Sequence, residues 1–367
     1  MSRFLATRLA GLNAYVPGEQ PADMRYIKLN TNESPYPPAP GVIASLSENE
    51  AKKLNLYPNP DGTRLISKLA GYYSVRPENI ILGNGSDELL AFAFLAFCDN
   101  SRGVVFPDIT YGFYPVYAEL FGIPYKRIPL KNDLTIDVAD YIGTGKNVVI
   151  ANPNAPTGVA LTLVDVEKII QGNRDHVVLI DEAYVDFGAE SAVQLTQKYD
   201  NLVVVHTYSK SRSMAGARLA YAIGQAPLIE DLNKMKYSFN PYNVNRLTQL
   251  AGEAALDDDG YYRQMRREIV STRGYTETRM KELGFSMTES RANFVFVKHP
   301  EAGGHELYSA LKERGVLVRH FDQERISDHL RITIGTREQM DAMLIAIDGI
   351  LHATRARGRS SGESSSD

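Results

Sequence analysis

The sequence predicts an α/β protein, with a large domain on a mostly parallel seven-stranded sheet and a smaller α/β domain at the C-terminal end. Three observations predict it. Seven short apolar runs, at 79–82, 104–106, 125–130, 147–151, 177–180, 202–206 and 217–223, alternate with stretches of helical periodicity. Unbroken Val/Ile/Leu runs of that length belong to parallel strands buried on both faces. After Pro241 the pattern changes to two long helical stretches followed by a shorter strand–helix series. The 367 residues are also long for one core and suit two unequal domains.

In chain order, residues 1–60 are rich in Pro, Asn and Tyr with little periodicity, so the start reads as an extended arm. The expected boundaries are an arm at 1–44, a large domain at 45–255 and a small domain at 256–354. Helical patterns at 244–256 and 261–283 are broken by Asp257-Asp258-Asp259-Gly260. The small domain then reads as strand 293–297, helix 304–314, strands 316–319 and 330–334, and helix 337–351. Residues 355–367 are mainly Arg, Gly and Ser without apolar anchors, and are expected to be a disordered tail.

Composition narrows the function classes. Hydrophobic residues make up 44% and charged residues 23%, the balance of a soluble globular protein. A net charge of −4 provides no basic field for nucleic acid. No stretch approaches the ~18 apolar residues of a membrane helix. The one cysteine, Cys98, cannot form an internal disulfide and fits a reducing compartment. It ends the apolar run 91–97 and reads as a core thiol, not a nucleophile. The first twelve residues carry two arginines and no acid, a faint likeness to a transit peptide. A functional-looking segment already begins at Tyr15, however, so the expected localisation is cytoplasmic. The seven histidines are scattered and none forms His-Glu-x-x-His, so no metal site is expected. Gly-x-Ser-x-Gly, the mark of a serine hydrolase, is absent.

Ligands of parallel sheets bind beyond the carboxyl ends of the strands, and three polar clusters fall there. Leu82-Gly83-Asn84-Gly85-Ser86-Asp87-Glu88 joins a strand to a helix, where glycines and helix-start amides suit phosphate. It fails the dinucleotide fingerprint at Glu88, and taken alone Ser86 or Asp87 reads better as a helix cap. The apolar strand ending in Asp181-Glu182-Ala183-Tyr184 resembles the magnesium strand of P-loop ATPases. The required phosphate loop is missing, since Gly145-Lys146 is followed by Asn147.

The third cluster is Thr207-Tyr208-Ser209-Lys210, with Arg218 downstream. Most lysines at strand ends are merely solvated. Here the whole set matches a carbonyl cofactor that bears a phosphate. Such a cofactor needs a lysine for a Schiff base, and hydroxyls, an arginine and amides for the dianion. It also needs a carboxylate to keep a ring nitrogen protonated. Lys210, Thr207, Ser209, Arg218, Ser86 and Asp181 supply these groups.

These residues resemble the fold-type I pyridoxal-phosphate (PLP) aminotransferases, and within them the histidinol-phosphate aminotransferase branch. The likeness runs from about Tyr15 to Leu351. It rests on Asn30-Thr31-Asn32-Glu33-Ser34-Pro35, Tyr57-Pro58-Asn59-Pro60-Asp61-Gly62 and Asn152-Pro153-Asn154-Ala155-Pro156-Thr157-Gly158. Asp181-Glu182-Ala183-Tyr184, Ser209-Lys210 and Leu330-Arg331-Ile332-Thr333-Ile334-Gly335-Thr336 complete it. The resemblance implies that Lys210 bonds to pyridoxal 5′-phosphate and moves the substrate proton, that Asp181 pairs with the ring nitrogen, and that Tyr184 bonds the phenolic oxygen. It implies Tyr111 on the ring face, and Ser86, Asp87, Thr207, Ser209 and Arg218 at the phosphate. Tyr57 would arrive from the partner subunit of a homodimer with shared sites. Tyr15, Arg331 and Arg319 would meet the substrate. In this branch an Asn often precedes Pro-Thr-Gly, where this chain has Ala155, so Asn154 is taken as the substitute contact to the phenolic oxygen.

The implied reaction is histidinol phosphate plus 2-oxoglutarate giving imidazole-acetol phosphate plus glutamate. An aromatic amino-acid aminotransferase and a threonine-phosphate decarboxylase would share the same scaffold. A PLP-binding regulatory module without turnover is a third reading, disfavoured by the lack of a basic DNA-binding segment. For Arg331 the bland reading is an ion pair with Glu324 or Asp328.

Overall fold

A computed structural model describes residues 3–363. Chain order gives β1 (Ile27–Lys28), β2 (Ile80–Gly83), β3 (Val104–Pro107), β4 (Tyr125–Ile128), β5 (Asn147–Ala151), β6 (Val178–Asp181), β7 (Leu202–Thr207) and β8 (Ala220–Gly224). Then come β9 (Ser286–Met287), β10 (Phe294–Lys298), β11 (Val316–Leu317), β12 (Arg319–His320) and β13 (His329–Thr333). Strands β2 to β8 form one seven-stranded sheet in the order β2-β8-β7-β6-β5-β3-β4. β3 to β7 are parallel, while β8 runs antiparallel to both β2 and β7.

Every residue of the central strands is buried, as their unbroken apolar runs require. Alternate side chains feed two cores. Val178, Ile180 and Val204 pack on one face with Leu69, Ile169 and Ala255. Leu179, Val203 and Val205 pack on the other with Leu90, Phe94, Tyr114 and Leu232. Cys98 lies against this second core, where burial pushes its thiol up to about 12 and leaves it unreactive.

A further core lies towards the C-terminus. β12, β13, β10 and β9 form an antiparallel sheet in that order. Val295, Val297 and Ile332 pack there against Ile269 and Met280 of the helix Asp259–Glu282, Leu307 and Leu311 of Gly304–Glu313, and Met343 and Ile347 of Arg337–Glu363. The arm is tied to this part through β1, which pairs in parallel with β11.

Three sequence expectations shift. The single strand at 316–319 is two short strands in different sheets, because Leu317 turns to pair with the arm while Arg319 pairs with β13. The strand expected from 217 begins at Ala220, because Ala215–Ala217 forms a 3-10 turn and Arg218 is left-handed at φ +53°. The last helix extends through Glu363, where an unstructured tail was expected from 355. The rest of that tail, 364–367, lies outside the described residues. Among the described residues no helix is long and apolar enough to cross a membrane.

Candidate active site

The last residues of three adjacent strands, Ala151, Asp181 and Thr207, line one cavity of about 540 Å³. The helix Ser86–Phe97 starts at its edge, and arm residues together with Arg319 and Arg331 close it from the other side. Of the residues singled out in the sequence, Tyr15, Ser86, Asp87, Tyr111, Asp181, Tyr184, Thr207, Ser209, Lys210, Arg218, Arg319 and Arg331 all line it.

Lys210 sits three residues past the end of β7, its amine donating to the Thr31 carbonyl at 3.2 Å. Burial and the Arg331 guanidinium both disfavour its ammonium and pull its pKa down to about 8. Asp181 is buried and accepts from the Tyr114 hydroxyl at 3.1 Å and the Ala183 amide at 3.2 Å. Burial outweighs these bonds and lifts its carboxyl to about 6. Strand alternation sends the next residue, Glu182, to the opposite side of the sheet, 3.0 Å from His206 Nε2. Only one carboxylate of the Asp-Glu pair therefore faces the cavity, which removes the likeness to a magnesium strand.

The helix cap is Gly85, at φ +83°, so Ser86 and Asp87 are first-turn residues and not the caps they resembled. A Cβ at Gly85 would lie 2.3 Å from Arg218 Nη2, so glycine is what lets the guanidinium lie over the helix start. Arg218 donates to Asp87 Oδ2 at 3.1 Å, and the Tyr111 hydroxyl donates to Asp87 Oδ1 at 2.7 Å. The Asp87 carboxylate thus orients two neighbours. Thr207 and Ser209 hydroxyls lie 2.9 Å apart beside them.

At the mouth, Arg319 and Arg331 occupy directly paired positions on β12 and β13. Arg331 donates to the Asn30 carbonyl at 3.0 Å and lies between the rings of Phe294 and Phe321. Its Nε has no partner. Burial, with Arg319 as the second cation, lowers its pKa. Asp328 is taken by Lys298 and His329, and among the described residues no carboxylate forms an ion pair with Arg331. The structural ion pair that the sequence left open is absent there. Arg319 is anchored on the arm, donating to the Val16 and Pro17 carbonyls at 3.2 Å each. Tyr15 stacks on Phe113 with centroids 4.2 Å apart, forming an aromatic wall.

Asn154 requires correction. Its side chain accepts from Thr110 Oγ1 at 2.8 Å and donates to the Ile109 carbonyl at 3.0 Å and Thr157 Oγ1 at 3.1 Å. These bonds spend the amide on holding the loop, and Ala155, not Asn154, lines the cavity. The amide that meets Tyr184 belongs to Asn32, whose Nδ2 donates to the Tyr184 hydroxyl at 2.9 Å. In the sequence, Thr31, Asn32 and Glu33 stand within the arm motif without an assigned role, and Tyr114 is not singled out. Tyr57 lies outside the cavity, exposed and stacked on Tyr242 at 4.4 Å.

The donor set fits the implied cofactor. A low-pKa amine suits a carbonyl, and hydroxyls with Arg218 at a helix start suit a phosphate. Asp181 is a buried carboxylate that forms no ion pair among the described residues, a place that a protonated ring nitrogen would fill. The comparisons point the same way. Residues 25–347 match the family model described as aminotransferase class I and II. A histidinol-phosphate aminotransferase of Brachyspira hyodysenteriae is 48% identical over 352 residues, covering 96% of this chain and 99% of that protein. One from a Marinomonas species is 49% identical over 350 residues, 95% of this chain and 99% of that protein. The fold is shared with the solved histidinol-phosphate aminotransferase of Sinorhizobium meliloti in complex with pyridoxal-5′-phosphate. That match has TM-score 0.82 and 22% identity, and covers 89% of this chain and 91% of the other.

Proposed function

The chain belongs to the class I and II aminotransferase family, and from that premise we propose that it moves the amino group of histidinol phosphate to 2-oxoglutarate in histidine biosynthesis. The observation that carries this reading is the half-buried Lys210 and the buried Asp181 in one cavity, whose mouth holds two arginines that pair with no carboxylate among the described residues. Nearly full-length curated relatives carrying that activity in their names support the choice of donor.

Pyridoxal 5′-phosphate, bound over Lys210, would supply an aldehyde for amine exchange and a ring that accepts carbanion charge. Asp181 would hold the ring nitrogen protonated, and its carboxylate would regain its charge in doing so. Ser86, Thr207, Ser209, Arg218 and the Asp87 backbone N–H would bind the phosphate. Tyr111 would cover one ring face and Tyr184 would reach the phenolic oxygen. The Lys210 amine would take the proton from the substrate's Cα, and its lowered pKa raises its free-base fraction near neutral pH above that of an ordinary lysine. Arg331 and Arg319 would hold the phosphate of one substrate and the carboxylates of the other, because a planar guanidinium pairs with either oxyanion. Tyr15 would pack against the donor's ring.

A second copy of the chain would complete the site with Tyr57. Support comes from the exposed apolar residues along 54–57 and 237–242, where Tyr57 and Phe239 are each 76% exposed. The single, half-buried thiol fits the cytoplasm.

The test is a stopped-flow screen of amino donors against the PLP-loaded protein, following loss of the cofactor's visible band. Histidinol phosphate should discharge it faster than histidinol or phenylalanine. Rapid discharge by phenylalanine without response to the phosphate ester would reassign the enzyme to aromatic amino acids. Borohydride reduction followed by peptide mapping should place the cofactor on Lys210.

A further inference from the structure

Asn32 joins three parts of the chain. It lies on the arm, buried, with its backbone in the left-handed region at φ +56°. Its Nδ2 donates to the Tyr184 hydroxyl at 2.9 Å, and its Oδ1 accepts the Thr333 hydroxyl at 3.0 Å. Its backbone N–H donates to Thr333 Oγ1 at 3.0 Å, and its carbonyl accepts from Asn293 Nδ2 at 3.0 Å.

A side-chain amide can sit either way round, so its neighbours must decide which end meets Tyr184. Thr333 Oγ1 receives the Asn32 backbone N–H on one of its two lone pairs, and among the described residues its proton has one acceptor within reach. Asn32 Oδ1 is the acceptor at hydrogen-bond distance. That bond turns Nδ2 towards Tyr184. An amide nitrogen only donates, so the Tyr184 oxygen must accept there, and its own proton must point elsewhere. Tyr184 lines the cavity.

We propose that Asn32, held by Thr333, is a positioning residue that directs the Tyr184 proton into the cavity. The phenol is thereby a donor, not an acceptor, towards the phenolic oxygen of the cofactor. This rests on the cofactor reading given above. It also gives the arm a task beyond covering the site, since the segment carrying Asn32 sets the polarity of a side chain just past the end of the central strand β6.

The test is a pH titration of the holoenzyme's visible band without substrate, in wild type, Asn32→Gly, Tyr184→Phe and the double variant. A donor beside an oxyanion favours its charged form, so losing the donor raises the midpoint. Tyr184→Phe should raise it by roughly one to two pH units, the size of one hydrogen bond to a charged group. Glycine accepts the left-handed backbone, so Asn32→Gly removes the amide with the turn kept. It should raise the midpoint by part of the Tyr184→Phe shift, and the double variant should match Tyr184→Phe alone. Thr333→Val frees the amide to turn and should shift the midpoint the same way, while Thr333→Ser keeps the hydroxyl and should stay at the wild-type value. Unchanged midpoints in Asn32→Gly and Thr333→Val would overturn the proposal and leave the cofactor reading standing. So would a full Asn32→Gly shift in the Tyr184→Phe background. A wild type without any visible band in the presence of PLP would overturn the cofactor reading itself, and this proposal with it.

Discussion

Lys210 should react with an aldehyde at a pH where an ordinary lysine does not. Its pKa falls from 10.5 to about 8, first through burial and then through the Arg331 guanidinium. Both act against the ammonium, burial by removing water and Arg331 by like charge. Only the neutral amine attacks a carbonyl. At pH 7 about one amine in eleven is neutral for a pKa near 8, against about one in three thousand for an unperturbed lysine, a gain of roughly 300-fold. The assay mixes cofactor-stripped protein with PLP from pH 6 to 10 and records the initial rate of bond formation, with Nα-acetyl-lysine in parallel to factor out ionisation of the reagent. The rate should climb about tenfold per pH unit below about 8 and level off above it. Arg331→Met removes the smaller cause, so the midpoint should rise yet stay below 10.5, because burial remains. A wild-type midpoint above about 9.5, or one unmoved by Arg331→Met, would refute the electrostatic account.

Further expectations concern the partners of that amine. Arg331→Lys loses the planar fork and should lower kcat/KM for histidinol phosphate and for 2-oxoglutarate by about 2–4 kcal/mol in transition-state binding, read from steady-state kinetics. Arg319→Ala should cost histidinol phosphate more than phenylalanine; equal losses would mean that Arg319 serves the arm and not the phosphate. Asp181→Asn should slow Cα proton abstraction in single-turnover experiments far more than it weakens PLP binding measured by equilibrium dialysis. Lys210→Ala mixed with Tyr57→Ala should regain activity through hybrid dimers, and no recovery after verified subunit exchange would count against shared sites.

Much of this was legible in the sequence because strands buried on both faces write themselves as unbroken apolar runs. A polar residue that ends such a run, as Asp181 ends β6 and Thr207 ends β7, stands out against them. The two arginines were legible for a related reason, since Arg331 interrupts an apolar strand. What escaped were roles settled by contacts between distant segments. Nothing local distinguishes Asn32 from Asn154: both are asparagines in Pro-rich loops, and both are buried. Only the meeting of the arm with Tyr184 and Thr333, 152 and 301 residues away, decides which amide serves the site. Tyr114 was hidden differently, as one aromatic among several on an apolar helix, and only its hydroxyl's reach to Asp181 separates it from core packing. The split of 316–319 also depends on partners, because the arm competes for half of that run.

The charges of the cavity argue for what it takes. Asp87 pairs with Arg218 and Glu33 with Lys28, and what remains of their field falls on Lys210. Lys210, Arg319 and Arg331 then share one enclosed space with a single remaining carboxylate, Asp181, which burial drives towards its neutral form. Two arginines paired directly across antiparallel strands repel each other, and that arrangement weakens a sheet unless something between them compensates. Among the described residues no carboxylate supplies that compensation to Arg331, whose Nε is left without a partner and whose pKa is lowered. A neutral amino acid side chain would leave this strain in place. A ligand with an anionic group at the end away from its amine would relieve it, and would be oriented by doing so, with its amine turned inwards to Lys210. Both halves of the proposed reaction bring such a ligand, a phosphate ester in one and a second carboxylate in the other. The arginine pair therefore explains in one stroke why a single pocket can serve two substrates of different shape.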